Sequence, residues 1–264
     1  MIQPLAYIHP QAKIADNVVI EPFVTIYKDV VIGEGTWIGS NVTIMDGARI
    51  GKNCRIFPGA VISGIPQDLK FEGEETTAEI GDNTTIRECV TVNRGTRDKW
   101  KTVIGSNCLI QAYSHIAHDC IVGDHCVFSN NSTLGGHITV GDYVVLAGMV
   151  AVHQFCHIGS HAFIAGGSLV RKDVPPFVKA AREPLSYAGV NSVGLRRRGF
   201  SPEQIDEIQD IYRVLFVKNT NLAKALDIIE AEYKPTEIRD EILDFVRNSN
   251  RGVMKGFGNV RSHG

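Results

Sequence analysis

A six-residue period runs through the sequence from Ile8 to Val170 and constrains the fold more than any other feature. Stepping by six from Ile8 to Val170 reaches 28 positions, of which 24 are Ile, Leu or Val, one is Phe, and three are polar, namely Asp68, Glu74 and Asp98. Amphipathic strands repeat every 2 residues and helices every 3.6, so neither template explains this pattern. Hexapeptide periodicity instead predicts a solenoid built as a parallel β-helix.

Each hexapeptide is expected to supply one short strand and one turn, so three of them close one triangular coil. The aliphatic side chain points inward and stacks on its equivalent 18 residues later, roughly 4.8 Å away. Four residues after it comes a small or β-branched residue, because a larger one would overfill a narrow interior. Five of the six cysteines occupy this small position and Cys89 lies one residue before it, so we expect all six to be interior packing residues rather than disulfides or metal ligands.

Composition and charge exclude several classes of protein. The 264 residues are 44% apolar and 21% charged with a net charge of −2, which is typical of a globular chain without a bias toward nucleic acid. The sequence lacks an apolar run long enough to span a membrane and lacks a secretory signal, so we predict a cytoplasmic location. Because the repeats begin at Ile8, we also expect no N-terminal recognition domain before them.

The period predicts an all-β solenoid followed by a C-terminal α-helical domain. We assign residues 1–176 to the parallel β-helix, 177–200 to a linker and 201–264 to the helical domain. The period fails over 63–79 and returns in register, which predicts a loop inserted into the prism, and 97–102 is a shorter excursion of the same kind. Pro175 and Pro176 are expected to end the stacking of strands, since proline cannot continue a ladder.

Helical spacing replaces the six-residue period after Ser201. Ser201 to Gln204 reads as a capping box with proline at the first helical position. Further helices are predicted over 222–233 and 237–248, and the glycine-rich tail from Gly252 is predicted to fray.

Histidines in the later coils form the candidate catalytic group. Residues 18 apart lie on one edge of the prism, which places His118, Gly136 with His137, and His153 with Gln154 in a column. A histidine beside a carboxylate such as Asp119 is a reasonable general base, and the N–H of Gly136 can reach an oxyanion without obstruction by a side chain. The alternative is that these are solvated turn residues. The run Arg196 to Arg198 can clamp phosphates or can be an ordinary solvated surface.

Several motifs resemble the UDP-N-acetylglucosamine O-acyltransferases of lipid A synthesis. They are the stretches 115–120 (HIAHDC), 136–137 (GH), 151–155 (AVHQF), 65–70 (IPQDLK), 86–88 (IRE), 94–96 (RGT), 173–176 (DVPP), 189–191 (GVN) and 194–200 (GLRRRGF). The resemblance extends from Ile8 to about Val246.

This resemblance implies a homotrimeric, left-handed parallel β-helix with active sites between subunits. It implies transfer of an (R)-3-hydroxyacyl chain from acyl carrier protein to the 3-hydroxyl of UDP-N-acetylglucosamine, without a cofactor or a metal. It makes His118 the general base, Asp119 its partner and Gly136 the oxyanion donor. It places around the substrates the residues Asp68, Lys70, His115, His137, His153, Gln154, Asn191, Arg197 and Arg198.

The resemblance also makes Gly166 part of the floor of the acyl cleft, where small residues permit a longer chain. Two positions near the presumed nucleotide and carrier-protein region depart from the family pattern. Val193 stands where well-studied members have an acidic residue, and Pro184 stands where one well-studied member has a histidine.

Four other interpretations are open. They are the UDP-3-O-acylglucosamine N-acyltransferase of the same pathway, a CoA-dependent acetyltransferase, a trimeric hexapeptide zinc carbonic anhydrase with His115 and His118 among its ligands, and a purely structural solenoid.

Overall fold

A computed structural model describes residues 4–218 and 221–256. Within them the chain forms 27 mostly two- to four-residue strands, β1 to β27 in chain order, at Tyr7–Ile8, Lys13–Ile14, Val19–Ile20, Thr25–Ile26, Val30–Ile32, Trp37–Ile38, Thr43–Ile44, Ala48–Ile50, Arg55–Ile56, Val61–Gly64, Thr77–Ile80, Thr85–Ile86, Thr91–Asn93, Lys101–Ile104, Leu109–Ile110, His115–Ile116, Ile121–Val122, Val127–Phe128, Thr133–Leu134, Thr139–Val140, Val145–Leu146, Ala151–Val152, His157–Ile158, Phe163–Ile164, Leu169–Val170, Val178–Ala181 and Ser186–Val190.

Successive strands belong to three different sheets, parallel apart from the β26–β27 pair, which are the three faces of a left-handed β-helix. The first sheet contains β1, β4 and every third strand to β25, the second runs from β2 to β23, and the third begins at β3 and ends with β24, β26 and β27. We call the turns between the first and second sheets the first corner, those between the second and third the second corner, and those that return to the first sheet the third corner.

Both insertions predicted from the period lie on the first corner, and both add whole hexapeptides. Ile50 pairs with Ile80, 30 residues later, which exceeds the regular spacing of 18 by two hexapeptides. Ile80 pairs with Ile104, 24 residues later, which exceeds it by one. The first inserted loop is residues 65–76, shorter than predicted because β10 continues to Gly64 and β11 begins at Thr77. Whole-hexapeptide insertions leave every inward side chain on its stack, which is why the period survives them.

The prism interior consists of the predicted aliphatic stacks. From Ile20 to Val170 the periodic aliphatic side chains, such as Ile38, Ile86 and Ile116, are at most 4% exposed. Fully burying one such side chain contributes about 1.5–3 kcal/mol, so the stacks supply most of the cohesion of the solenoid. Five cysteines are buried as predicted, and burial raises the pKa of the Cys120 thiol to about 12. Cys89 is exposed, so its prediction as an interior residue is wrong: it lies at a turn with positive φ (55°), which directs its side chain outward.

The segment predicted as a linker is instead part of the solenoid's end. Strand β26, after the two prolines, pairs in parallel with β24, and β27 then pairs antiparallel with β26. The prolines did not stop the stacking, because they lie in the turn before β26 and not in a strand. The Tyr212 hydroxyl also holds this turn, since it donates a hydrogen bond to the Pro176 carbonyl at 2.6 Å. A short helix α1, Ser192–Arg197, follows.

Three further helices confirm the C-terminal helical pattern. They are α2, Pro202–Arg213, continued by a π-helical turn Val214–Lys218; α3, Leu222–Glu232; and α4, Glu237–Arg247. The predicted capping box is formed, with the Ser201 hydroxyl accepting from the Gln204 N–H and the Gln204 side chain accepting from the Ser201 N–H.

The start of the tail is ordered rather than frayed. Val253 forms a parallel bridge with Asp173, and Lys255 forms one with Ser186. The buried Asp173 carboxylate also accepts hydrogen bonds from the His157 N–H (2.7 Å) and the Ser249 hydroxyl (2.6 Å). The prediction of fraying from Gly252 is therefore wrong up to residue 256, because these contacts come from sequence-distant residues; residues 257–264 lie outside the described residues.

Candidate active site

The first corner carries the histidine column that the 18-residue spacing predicts. Asp119, His137 and Phe155 occupy equivalent turn positions in consecutive coils, each with φ near 60°. The His137 N–H donates to the His118 carbonyl and the Phe155 N–H donates to the Gly136 carbonyl, both at 3.1 Å. These bonds stack the turns directly on one another, so the side chains of the column lie one strand spacing apart.

His118 and Asp119 form a hydrogen-bonded pair. His118 Nδ1 lies 2.8 Å from Asp119 Oδ2, with the carboxylate fully buried and the imidazole 12% exposed. The same carboxylate accepts hydrogen bonds from the N–H of Thr96 (3.0 Å), the hydroxyl of Thr96 (2.6 Å) and the N–H of Lys99 (3.1 Å). Burial alone would raise the pKa of Asp119, but hydrogen bonds from Thr96 and His118 outweigh it and hold that pKa below its ordinary value. An ionised Asp119 keeps the proton on His118 Nδ1 and leaves Nε2 as a base.

Gly136 lies directly against the His118 ring. A Cβ at this position would be 2.6 Å from His118 Cε1 and 2.8 Å from Nε2, so a larger residue would displace the imidazole. Among the described residues, the Gly136 N–H has no protein acceptor, whereas its neighbours Gly135 and His137 donate to carbonyls. Gly136 therefore combines contact with the His118 ring and an unused backbone donor, and a donor of this kind can stabilise an oxyanion.

Two more histidines surround this pair. His137 stands edge-on to His118, with ring centroids 5.0 Å apart, and stacks on Phe155 at 4.6 Å. His115, on the outer face of β16, has Nδ1 2.7 Å from the Thr91 hydroxyl. Burial, with a smaller effect from His118, lowers the pKa of His115, so this imidazole is neutral near pH 7. The histidines thus differ in environment, and His118 has the buried carboxylate partner expected of a general base.

His153 and Gln154 lie at the next turn of the same corner, where the structure adds a residue that sequence reasoning missed. Arg251 Nη2 is 3.3 Å from His153 Nδ1, and the Gln154 carbonyl is 3.2 Å from the same atom. Arg251 is 98 residues from His153 in the chain and comes from the tail anchored at Asp173. Its position carries no local sequence signal, because it depends on that anchoring.

Asp68 and Lys70 lie in the inserted loop 65–76 on the same corner. The Asp68 side chain accepts a hydrogen bond from the Lys70 N–H at 3.0 Å, and Leu69 between them is fully exposed. In the part of the chain that the structure describes, neither side chain forms a hydrogen bond or ion pair with the histidine column. The loop reaches the column indirectly, because Arg97, beside Thr96, forms ion pairs with Glu72 (2.6 Å) and Glu74 (2.9 Å) of the loop.

Asn191, Arg197 and Arg198 lie near the second corner rather than the first. The buried Asn191 amide donates to the His161 carbonyl at 2.9 Å and its Oδ1 accepts from the Gly194 N–H, so it caps α1. The Arg198 guanidinium lies 5.3 Å from the Tyr143 ring, and burial lowers its pKa. Arg197 is exposed. Within one chain these residues do not converge with His118.

Gly166 lies at the third corner, apart from both groups. Its Cβ would lie 3.2 Å from the Gly148 carbonyl and 3.9 Å from Ala147 Cβ, so a side chain here would extend over the surface between adjacent coils. The predicted site residues therefore occupy all three corners of one prism.

The histidine column also offers donor atoms to a cation. Ligand atoms of His118, Asp119 and His137 lie within 4.8 Å of one another. Two imidazoles and a carboxylate can bind zinc, so metal analysis of purified protein is the measurement that tests the predicted metal-free reaction.

The helices α1 to α4 also bear on whether this chain contains a membrane span. Among the described residues, every helix is too short or too polar to cross a bilayer.

Comparisons with known proteins agree with this architecture. Residues 173–254 match the family model described as Udp N-acetylglucosamine O-acyltransferase, Domain 2, and residues 29–64 and 101–136 match the bacterial transferase hexapeptide model. The acyl-[acyl-carrier-protein]--UDP-N-acetylglucosamine O-acyltransferases of Xylella fastidiosa and Xanthomonas oryzae are 47% and 48% identical to this chain, over 97% of it and 98% of each relative.

Solved structures give the same result. The UDP-N-acetylglucosamine acyltransferase of Bacteroides fragilis superposes with a TM-score of 0.95 at 49% identity, covering 97% of this chain and all of that one. The Francisella novicida enzyme gives 0.94 at 42% identity, covering 98% and 95%.

Proposed function

The chain belongs to the UDP-N-acetylglucosamine O-acyltransferases, and from this premise we propose how its corner column performs O-acyl transfer. The acyl donor is an (R)-3-hydroxyacyl thioester of acyl carrier protein, and the acceptor is the 3-hydroxyl of UDP-N-acetylglucosamine. The product begins lipid A biosynthesis. Relatives with this name that cover almost the whole chain favour O-acyl over N-acyl transfer.

The observation that carries the mechanism is the His118–Asp119 pair in contact with Gly136, whose N–H has no acceptor among the residues that the structure describes. His118 Nε2 takes the proton of the sugar hydroxyl as its oxygen attacks the thioester carbonyl, and Asp119 stabilises the imidazolium that forms. The Gly136 N–H donates to the oxyanion of the tetrahedral intermediate. When the intermediate collapses, the new ester C–O bond remains, the C–S bond breaks, and the proton passes from His118 to the departing thiolate.

We propose that the active site is completed by assembly into a homotrimer. This is supported by the distribution of the predicted residues, because the corners of one prism point away from each other and cannot enclose one substrate. It is also supported by an outward row of half-buried apolar residues in register on the third sheet, formed by Leu109, Val127, Val145 and Phe163. A second copy packed on such a row would bury apolar surface and bring a second corner toward the first corner of its neighbour.

An acyl-transfer assay with purified protein, UDP-N-acetylglucosamine and a series of 3-hydroxyacyl carrier proteins tests the reaction. We expect transfer by the wild type and a loss of about 10²–10⁴-fold in His118→Ala, the usual contribution of a general base. Absence of transfer with every donor would refute the proposed reaction, and a fully active His118→Ala would refute the proposed base.

Mixing two inactive variants tests the shared site. His118→Ala and Arg198→Ala each disable a different corner, so trimers refolded from both chains will regain part of the activity if one site uses the two corners of different copies. Light scattering shows whether the mixed material is trimeric. Trimeric mixtures that stay as inactive as their components would contradict this arrangement.

The cytoplasmic location stays a prediction, and cell fractionation is the measurement that tests it.

A further inference from the structure

We propose that Asp98 is a positioning residue of this active site, which acts by holding the His137 imidazole. The inference rests on the proposed function, since it concerns the same corner column. Asp98 is one of the three polar residues at positions where the period places an aliphatic side chain. Asp98 does not enter the interior of the prism, because it lies in the hexapeptide inserted between β13 and β14, which projects outward at the first corner.

The contact between the two side chains is short. Asp98 Oδ2 lies 2.9 Å from His137 Nδ1, with the imidazole 13% exposed and the carboxylate 61% exposed. The next carboxylate oxygen, Asp119 Oδ2, is 3.9 Å from the same nitrogen and already accepts from His118 and Thr96. The two atoms are within contact distance, although the angle is not that of a hydrogen bond, and among the described residues His137 Nδ1 has no hydrogen-bond partner. Catalytic contacts are often poorly aligned before substrate binds.

The turn that carries Asp98 is fixed to the catalytic pair. The N–H groups of Thr96 and Lys99, on either side of Asp98, both donate to Asp119 Oδ1. The Thr76 hydroxyl donates to the Gly95 carbonyl at 2.5 Å, which holds the entry to the turn. Asp98 is therefore held at the column by the same hydrogen bonds that hold Asp119, and its carboxylate needs little additional ordering to reach His137.

The His137 ring is confined on its other sides. Phe155 stacks on one face at an interplanar angle of 11°, and His118 meets it at 88°. A carboxylate at Nδ1 favours the tautomer with its proton on that nitrogen, which leaves the Nε2 lone pair to accept a hydrogen bond from a substrate hydroxyl. His118 and His137 would then both have Nδ1 directed at a carboxylate and Nε2 available, one as base and the other as a substrate ligand.

A double-mutant cycle separates this role from a general effect on the turn. We expect Asp98→Ala to lower kcat/KM for UDP-N-acetylglucosamine about tenfold, which corresponds to about 1.4 kcal/mol and is close to the lower end of what a hydrogen bond to a charged group contributes. In a His137→Gln background the same change is expected to alter kcat/KM less than twofold, because the residue on which Asp98 acts is gone. Asp16→Ala, an exposed corner aspartate in the first coil, is the matched control.

Two results would overturn the proposal: an Asp98→Ala enzyme within twofold of wild type, or an equal loss with and without His137. Asp98→Asn repeats the cycle with the side-chain volume kept, and thermal unfolding of every variant confirms that each is folded. His118→Ala is assayed beside them. Its retention of activity would count against the proposed base, whereas its inactivity together with an unaffected Asp98→Ala would count against the present inference alone.

Discussion

Replacing Gly136 by alanine tests the geometry of the active site with one methyl group. The added Cβ would lie 2.6 Å from His118 Cε1 and 2.8 Å from Nε2. Carbon atoms in contact are normally about 3.5–4.0 Å apart, so the ring must move by roughly 1 Å. A displacement of that size in a catalytic group can cost about 100-fold in rate, which corresponds to about 2.7 kcal/mol of activation free energy. The backbone N–H is retained, so the loss reports the position of the base.

The assay is acyl transfer under saturating donor, with kcat and KM for the nucleotide sugar determined separately. Because a displaced base affects the chemical step, we expect most of the loss in kcat, with KM changed less than about threefold. Urea titration of Gly136→Ala is the control, because a free energy of unfolding near that of the wild type separates a displaced base from a disrupted coil.

The reasoning is refuted if Gly136→Ala retains more than about a third of the wild-type kcat while His118→Ala loses at least 100-fold. That outcome would mean that the His118 ring has room to move without consequence. A Gly136→Ala enzyme with a much lower free energy of unfolding would instead place the effect in the fold of the coil rather than in the position of the base.

Three further predictions concern other parts of the molecule. Thr96→Val removes a hydroxyl donor from the buried Asp119 and should lower the free energy of unfolding by about 1.5–3 kcal/mol in urea titrations, whereas Thr96→Ser should stay near wild type. Gly166→Met should shift donor preference to shorter acyl chains by about 0.8 kcal/mol for each excluded methylene, and unchanged selectivity among donors would contradict its place in the acyl cleft. Burial, together with Arg198, lowers the pKa of His161 to about 4, so unfolding takes up a proton between pH 6.5 and 4 and stability falls as pH falls through that range. Between pH 7 and pH 5, the urea concentration at the unfolding midpoint should therefore fall less for His161→Gln than for the wild type. Equal decreases in the two proteins would contradict the lowered pKa of His161.

The resemblance to known acyltransferases supplied the residue roles, but part of the column follows from spacing alone. An 18-residue interval places His118, Gly136 and Gln154, with His153 beside it, at one corner of the prism. What spacing could not supply is the orientation of each ring. The His118–Asp119 bond depends on donors from Thr96 and Lys99, which come from an insertion whose path the period does not describe.

The sequence by itself determined the solenoid, the in-register insertions and the helical C-terminal pattern. It could do so because each follows from a residue pattern that recurs at a fixed short interval, either every hexapeptide or every helical turn. Tertiary structure alone decided that the presumed linker forms strands β26 and β27, that Cys89 faces outward, and that Asp98 and Arg251 reach the histidines. These features depend on contacts between segments distant in the chain, such as Asp173 with Ser249, and on the direction in which a turn projects its side chain, which a hydrophobic period leaves undefined.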